Sequence, residues 1–137
     1  MPYRLLDHTA DLAIEVEAED LEGLFVEAAR AMFNEIVGDL GSVRPAEERR
    51  FELREDTPED LLVSWLSELL FLFEVEKMLF SEFEVEINDG TLKGRARGER
   101  YDRERHELRT GIKSVTYHML EIRRSGDRYK VTIVFDI

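Results

Sequence analysis

The stretch Tyr129-Lys-Val-Thr-Ile-Val-Phe-Asp136-Ile137 decides how the chain is organised. It is rich in β-branched and aromatic residues, with Val131, Ile133 and Phe135 alternating against polar neighbours, and reads as a strand to its last residue. Termini fray unless something ties them down, so this segment is expected to stay ordered within a sheet. Its end would hold the Asp136 carboxylate beside the carboxylate of Ile137. Near the other end of the sequence lies a second polar cluster, Asp7-His8-Thr9-Ala10-Asp11, just before the apolar alternation Leu12, Ile14, Val16. Two acidic clusters at strand ends could converge only if something neutralises them. A hard cation such as Ca²⁺ or Mg²⁺, bound through oxygen, is the natural candidate. The plainer readings are a polar turn, in which Asp and Thr side chains cap backbone amides, and an Asp136 that merely faces solvent.

Working outward, the 137 residues suit one domain with a real core. Tyr3 to Leu6 could form a short strand, and Leu12 to Ala18 a half-buried one. Asp20 then caps a helix whose Leu21, Leu24, Phe25, Ala28, Met32 and Ile36 keep helical spacing, with Gly38 as its C-cap. Arg49 to Arg54 reads as a strand. Thr57-Pro58-Glu59-Asp60 is a helix start, with Thr as N-cap and Pro at the first helical position. That helix should run to about Lys77, with Leu62, Trp65, Leu66, Leu69 and Phe73 on its buried stripe, broadened by Leu61, Leu70 and Leu72.

Phe83, Val85 and Ile87 alternate with acids, and Asn88-Asp89-Gly90 turns a hairpin into Thr91 to Gly98. Gly94 and Gly98 read as bulge or close-approach glycines. Gly98 to Gly111 is expected to be a mobile charged connector that leaves His106 exposed. Ile112 to Arg123 and Arg128 to Ile137 read as two strands joined at Ser125-Gly126-Asp127, which puts Thr116-Tyr117-His118 at a strand centre. The sum is an α+β fold, a largely antiparallel sheet with two amphipathic helices.

Charge narrows the function. Acids outnumber bases 31 to 19, a net charge of −12. Phosphate binding draws its affinity from counterion release by Lys and Arg, so stable direct nucleic-acid binding is not expected. A partner with a basic surface fits better. The basic residues between Arg95 and Arg109, and at Arg123-Arg124, are interleaved with acids, as in solvated loops. Cysteine is absent, which removes disulfides, thiolate metal sites and a Cys nucleophile. No signal peptide is evident. The apolar stretch Leu61 to Leu79 carries Glu68, Glu74, Glu76 and Lys77, so no membrane span is expected. These features point to the cytoplasm. Glutamine is absent and Asn occurs only at 34 and 88, a composition associated with heat stability.

The phosphate loop, the zinc-protease helix, the nucleophile elbow and the dinucleotide fingerprint are all missing. His118 near an Asp would suggest general-base chemistry, but no nucleophile stands beside it in sequence.

Three separated motifs bring the chain close to a known family. Asp7-His8-Thr9-Ala10-Asp11-Leu12-Ala13-Ile14, Ile112-Lys113-Ser114-Val115-Thr116-Tyr117-His118 and Val134-Phe135-Asp136-Ile137 resemble the archeases. Ser114 is a departure, since the family usually has Ala there. The resemblance implies strand-helix-strand-strand modules and an accessory role toward the RtcB-type RNA ligase of tRNA splicing. That ligase is guanylylated from GTP with a divalent metal, and the accessory protein promotes guanylylation and multiple turnover without being an enzyme itself. The resemblance also implies a divalent-cation site, with calcium as the family's bound ion, that carries over to Asp11, Asp136 and Ile137. Asp7, His8, Lys113 and His118 follow as supporting or partner-contacting residues. Two rivals are a metal-dependent hydrolase using the same carboxylates, which needs an open coordination position, and a direct RNA-binding module.

Overall fold

The computed structural model describes residues 3–6 and 11–137. Its strands are β1 (Tyr3–Leu6), β2 (Asp11–Ala18), β3 (Glu47–Arg54), β4 (Met78–Asn88), β5 (Thr91–Arg100), β6 (Ser114–Val115), β7 (Arg123–Ser125) and β8 (Arg128–Asp136). The helices are α1 (Leu21–Val37) and α2 (Pro58–Glu76). Two antiparallel sheets result. The first runs β1-β2-β8-β6, with β7 also on β8; the second runs β3-β5-β4. The fold is α+β, as the sequence predicts. One strand-helix-strand-strand module, β3-α2-β4-β5, supplies the whole second sheet. The first sheet is assembled from both ends of the chain.

Both helices begin where their capping residues place them. The Asp20 carboxylate accepts from the Gly23 amide (2.6 Å), and the Thr57 hydroxyl from the Asp60 amide (3.1 Å). Each satisfies an amide that has no partner within its helix. Gly38 closes α1, its amide donating to the Asn34 carbonyl (2.8 Å). α2 ends at Lys77, which adopts a left-handed φ of 60°, and β4 starts at the next residue.

The core joins both sheets. α1 packs on β2 of the first sheet and on β4 of the second. It therefore buries residues around most of its circumference, from Leu24 and Phe25 to Ile36 and Val37. Ala28, Ala29 and Ala31 keep it slim enough for that position. Trp65 is the keystone of α2. Its indole N–H donates to the Phe25 carbonyl (3.1 Å), and its ring meets Phe51 and Phe83 edge-on.

The glycines of β5 are close-approach positions, as expected. A Cβ on Gly94 would lie 2.8 Å from the Trp65 ring, and one on Gly98 only 1.7 Å from the Leu79 carbonyl oxygen. β4 carries a bulge between Phe80 and Glu82 at the latter crossing. The hairpin turn needs positive φ at both Asp89 (48°) and Gly90 (79°), the geometry that matches strand twist.

Three expectations fail, each for a physical reason. The 98–111 connector is docked on the fold, because α1 ends with carbonyls that need donors. The Arg109 amide donates to the Ile36 carbonyl (2.7 Å) and the Thr110 amide to that of Glu35 (3.1 Å). His106 is likewise buried, only 4% exposed, in a polar cluster described below. Ile112 to Arg123 is not one strand. From Ser114 to Arg123 the chain advances nine residues while their partners on β8, Asp136 and Lys130, are six apart. Three surplus residues must leave the ladder, which breaks it into β6 and β7 with a turn between them. Thr116-Tyr117-His118 therefore lies at the start of that protrusion, and not at a strand centre. The adjacent apolar pair Met119-Leu120 was the signal, since it breaks the alternation a continuous strand requires.

Candidate metal centre

Sheet register brings the two acids together. Asp11 opens β2 and Asp136 closes β8, and they are direct cross-strand partners. Asp136 is paired on its other side with Ser114 of β6. Side chains of directly opposite residues share a face and stand about 5 Å apart at Cβ. Asp11, Asp136 and Ser114 thus form one polar row across three strands. Leu12, Ile14 and Val16 on β2, with Val131, Ile133 and Phe135 on β8, occupy the opposite face and pack into the core. The period-two pattern that buries one face is what presents the acids on the other.

The row is held at Asp136. The Ser114 hydroxyl donates to Asp136 Oδ2 (2.9 Å), and the Lys113 amide donates to the Asp136 carbonyl (2.8 Å). Asp136 is exposed, Asp11 is half-buried, and Ile137 is 45% exposed. Like charges directly opposite each other on a sheet destabilise it, and the donors here are hard oxygens. That chemistry fits a Ca²⁺- or Mg²⁺-type ion. Among the described residues, no group of three or more His, Cys, Asp or Glu side chains is arranged to hold a metal. The described part of this centre is the carboxylate pair, with the Ser114 hydroxyl and the backbone carbonyls around it.

Asp7 and His8 lie outside the described residues. Lys113 contributes its backbone to the row, while its side chain faces solvent. His118 is not brought to the acids by any hydrogen bond or ion pair among the described residues. It sits in the exposed turn, its amide held by Thr116 Oγ1 (3.2 Å). Ser114 is the residue that reading from the chain passed over. Its pairing with Asp136 becomes visible only once the register of β6 on β8 is known.

A second polar cluster lies on the other sheet. Glu99 receives both arms of the Arg105 guanidinium (2.7 and 2.9 Å) and the Arg44 amide (2.9 Å). It also meets His106 Nε2 (2.9 Å). His106 Nδ1 accepts from the Asp102 amide (2.9 Å), so the proton of the neutral imidazole sits on Nε2 and points at Glu99. The Arg105 hydrogen bonds, joined by those from Arg44 and His106, hold the Glu99 carboxyl down at about 2 against the opposing effect of burial. With both carboxylate oxygens of Glu99 engaged by groups of its own chain, this cluster acts as a clasp for the connector.

An α+β protein of two antiparallel sheets, with a carboxylate pair at the end of its central strand pair, is the class these features define. The chain matches the Archease protein family over residues 3–137. It belongs to the archease family. A "Protein archease" of Methanopyrus kandleri is 41% identical over 141 residues, covering all of both chains. The solution structure of protein 1598 of Methanobacterium thermoautotrophicum superposes with a TM-score of 0.87 at 39% identity, covering 99% of each chain. A crystal structure from Thermotoga maritima, described as an archease and possible chaperone, gives a TM-score of 0.67 at 27% identity. It covers 96% of this chain and 94% of that one. Among the described residues no helix is long and apolar enough to cross a membrane.

Proposed function

We propose that this archease is a metal-binding accessory protein that activates an RtcB-type RNA ligase, promoting its guanylylation and multiple turnover. The observation that carries this reading is the direct cross-strand pairing of Asp11 with Asp136 in a chain of this family. Asp11 and Asp136 would hold a divalent cation, Ca²⁺ or its like, through carboxylate oxygens, with a backbone or carboxylate oxygen of Ile137 as a further ligand. The cation would offset the repulsion of the paired acids and present positive charge at an acidic surface. Lys113, beside the row, and Asp7 and His8 are candidates for supporting or partner-facing roles.

The protein performs no covalent step in this account. Its own residues position an ion and a contact surface, and the ligase carries out the chemistry. The test is guanylylation of the cognate ligase from GTP, followed with and without substoichiometric archease. Faster guanylylation and more than one turnover per ligase are expected, with Asp136→Ala losing most of the effect. Unchanged ligase rates at saturating archease would overturn the proposal.

A further inference from the structure

We propose that the protrusion Tyr117-His118-Met119 is the anchor by which this protein seats on its protein partner, entering an apolar pocket with a basic edge facing α2. The inference rests on the accessory role proposed above and adds the contact face. The protrusion exists because three surplus residues are expelled between β6 and β7. Bulges of this kind re-aim side chains out of a sheet edge. Here they aim large apolar groups at solvent: Tyr117 is 56% exposed and Met119 57%. Tyr and Met are enriched at the centres of protein interfaces.

The protrusion is also held rigidly, which lowers the entropy lost on binding. The Thr116 hydroxyl donates to the Val134 carbonyl (2.8 Å), and the Leu120 amide closes the turn on the Tyr117 carbonyl (3.1 Å). Beyond it, the Ile122 amide is held by Glu59 Oε2 (2.9 Å). Met119 keeps a left-handed φ of 59°, a conformation that L side chains other than Asn and Asp rarely adopt. A glycine would suit that backbone better. The sequence places a large exposed side chain there instead, at a position where packing does not require one.

The surroundings define the partner. Interaction with the Asp60 carboxylate, then burial and the charge of Glu55, push the Tyr117 phenol above its ordinary value. Glu59, next to Asp60 in the first turn of α2, holds the Ile122 amide, and Glu121 follows the protrusion, paired with Arg123. The tip is flanked by acids on its α2 side, while Arg123 and Lys130 stand beside it on the β7–β8 side, so the acidic flank complements a pocket with a basic edge facing α2. The tip follows directly on β6, the strand whose Ser114 pairs with Asp136.

The experiment measures binding of the purified cognate ligase by native archease, Met119→Gly and Tyr117→Ala, with thermal unfolding recorded for each. Glu86→Ala, on the far sheet, is the surface control. Both tip variants should bind at least about tenfold more weakly. Met119→Gly should keep or raise the melting temperature, so a merely structural role would leave binding intact in that variant. If native archease neither binds nor activates the ligase, the accessory role falls. If native archease binds and both tip variants match it, the anchor falls while the accessory role stands. An affinity of native archease for a 3′-phosphorylated RNA oligonucleotide that the tip variants lose, or self-association that they abolish, would also overturn the anchor.

Discussion

Glu99 and Asp136 are both carboxylates at the far end of a strand, and their surroundings are opposite. Glu99 meets a forked Arg105, the Arg44 amide and the His106 ring, so protein groups meet its charge from every side. Asp136 faces another acid across the ladder and receives the Ser114 hydroxyl. The first site is closed by its own chain and ties the connector down. At the second, the sheet register sets two carboxylates opposite each other, and Asp136 accepts from a neutral hydroxyl where Glu99 has a guanidinium. The proposed cation would act at the second site, where, among the described residues, no charged partner is clamped on Asp136 as Arg105 is on Glu99.

The largest effect should come from breaking the closed site. Glu99→Gln removes the charge that Arg105 and the imidazole N–H meet, and should cost about 3 kcal/mol of stability. Denaturant unfolding at neutral pH measures it. The same site sets an acid limb. Glu99 titrates at about 2 in the folded protein against an ordinary value of 4.5. Its contribution is therefore fully present above the unfolded value and is lost as pH falls through about 2. Native protein should lose stability across that window more steeply than Glu99→Gln. Parallel pH profiles would mean that Glu99 is not the residue that matters there.

The row of opposed acids should respond in the other sense. Asp136→Asn removes one of two opposed charges and keeps an oxygen for the Ser114 hydroxyl. Without metal its stability should hold or rise by roughly 0.5 kcal/mol, the scale of a cross-strand charge pair. In the native protein, Ca²⁺ at about 100 times its dissociation constant should add about 2.7 kcal/mol. Most of that gain should vanish in the variant. Calorimetric titration and thermal unfolding, each with and without Ca²⁺, read both arms. An equal calcium-induced shift in the two proteins would remove Asp136 from the proposed centre.

What could be read from the chain follows from the range of each interaction. Helix caps at Asp20 and Thr57, the Asn88-Asp89-Gly90 turn and the alternation of β2 and β8 are local, and all appear where the residues indicated. The glycines of β5 were legible because only a close crossing explains glycine inside a strand. The convergence of Asp11 and Asp136 was suggested by two polar strand ends, and the β2–β8 register brings those residues together. The Glu99–His106 clasp was not legible, since a charged connector looks solvated until the carbonyls ending α1 are seen to require its amides. The β6–β7 break was half legible, through Met119-Leu120. Its consequence, three expelled residues, needed the register on β8.

The smallest effect sharpens the comparison most. Ser114 gives the Asp136 carboxylate a hydrogen bond from the protein itself, a first step toward the satisfied state of Glu99. If that hydroxyl competes with the cation for Oδ2, Ser114→Ala should strengthen Ca²⁺ binding. A single hydrogen bond to a charged acceptor at an exposed site contributes about 1 kcal/mol, so the gain should be about fivefold at most. If the hydroxyl oxygen is itself a ligand, donating its proton to Asp136 while its lone pair faces the metal, the same change should weaken binding by a similar factor. The row geometry favours competition, because Ser114 and Asp11 flank Asp136 on opposite sides and a cation shared by the two acids would lie on the Asp11 side. Calorimetric titration of Ser114→Ala beside native protein decides the sign, and weaker binding would move Ser114 from competitor to ligand.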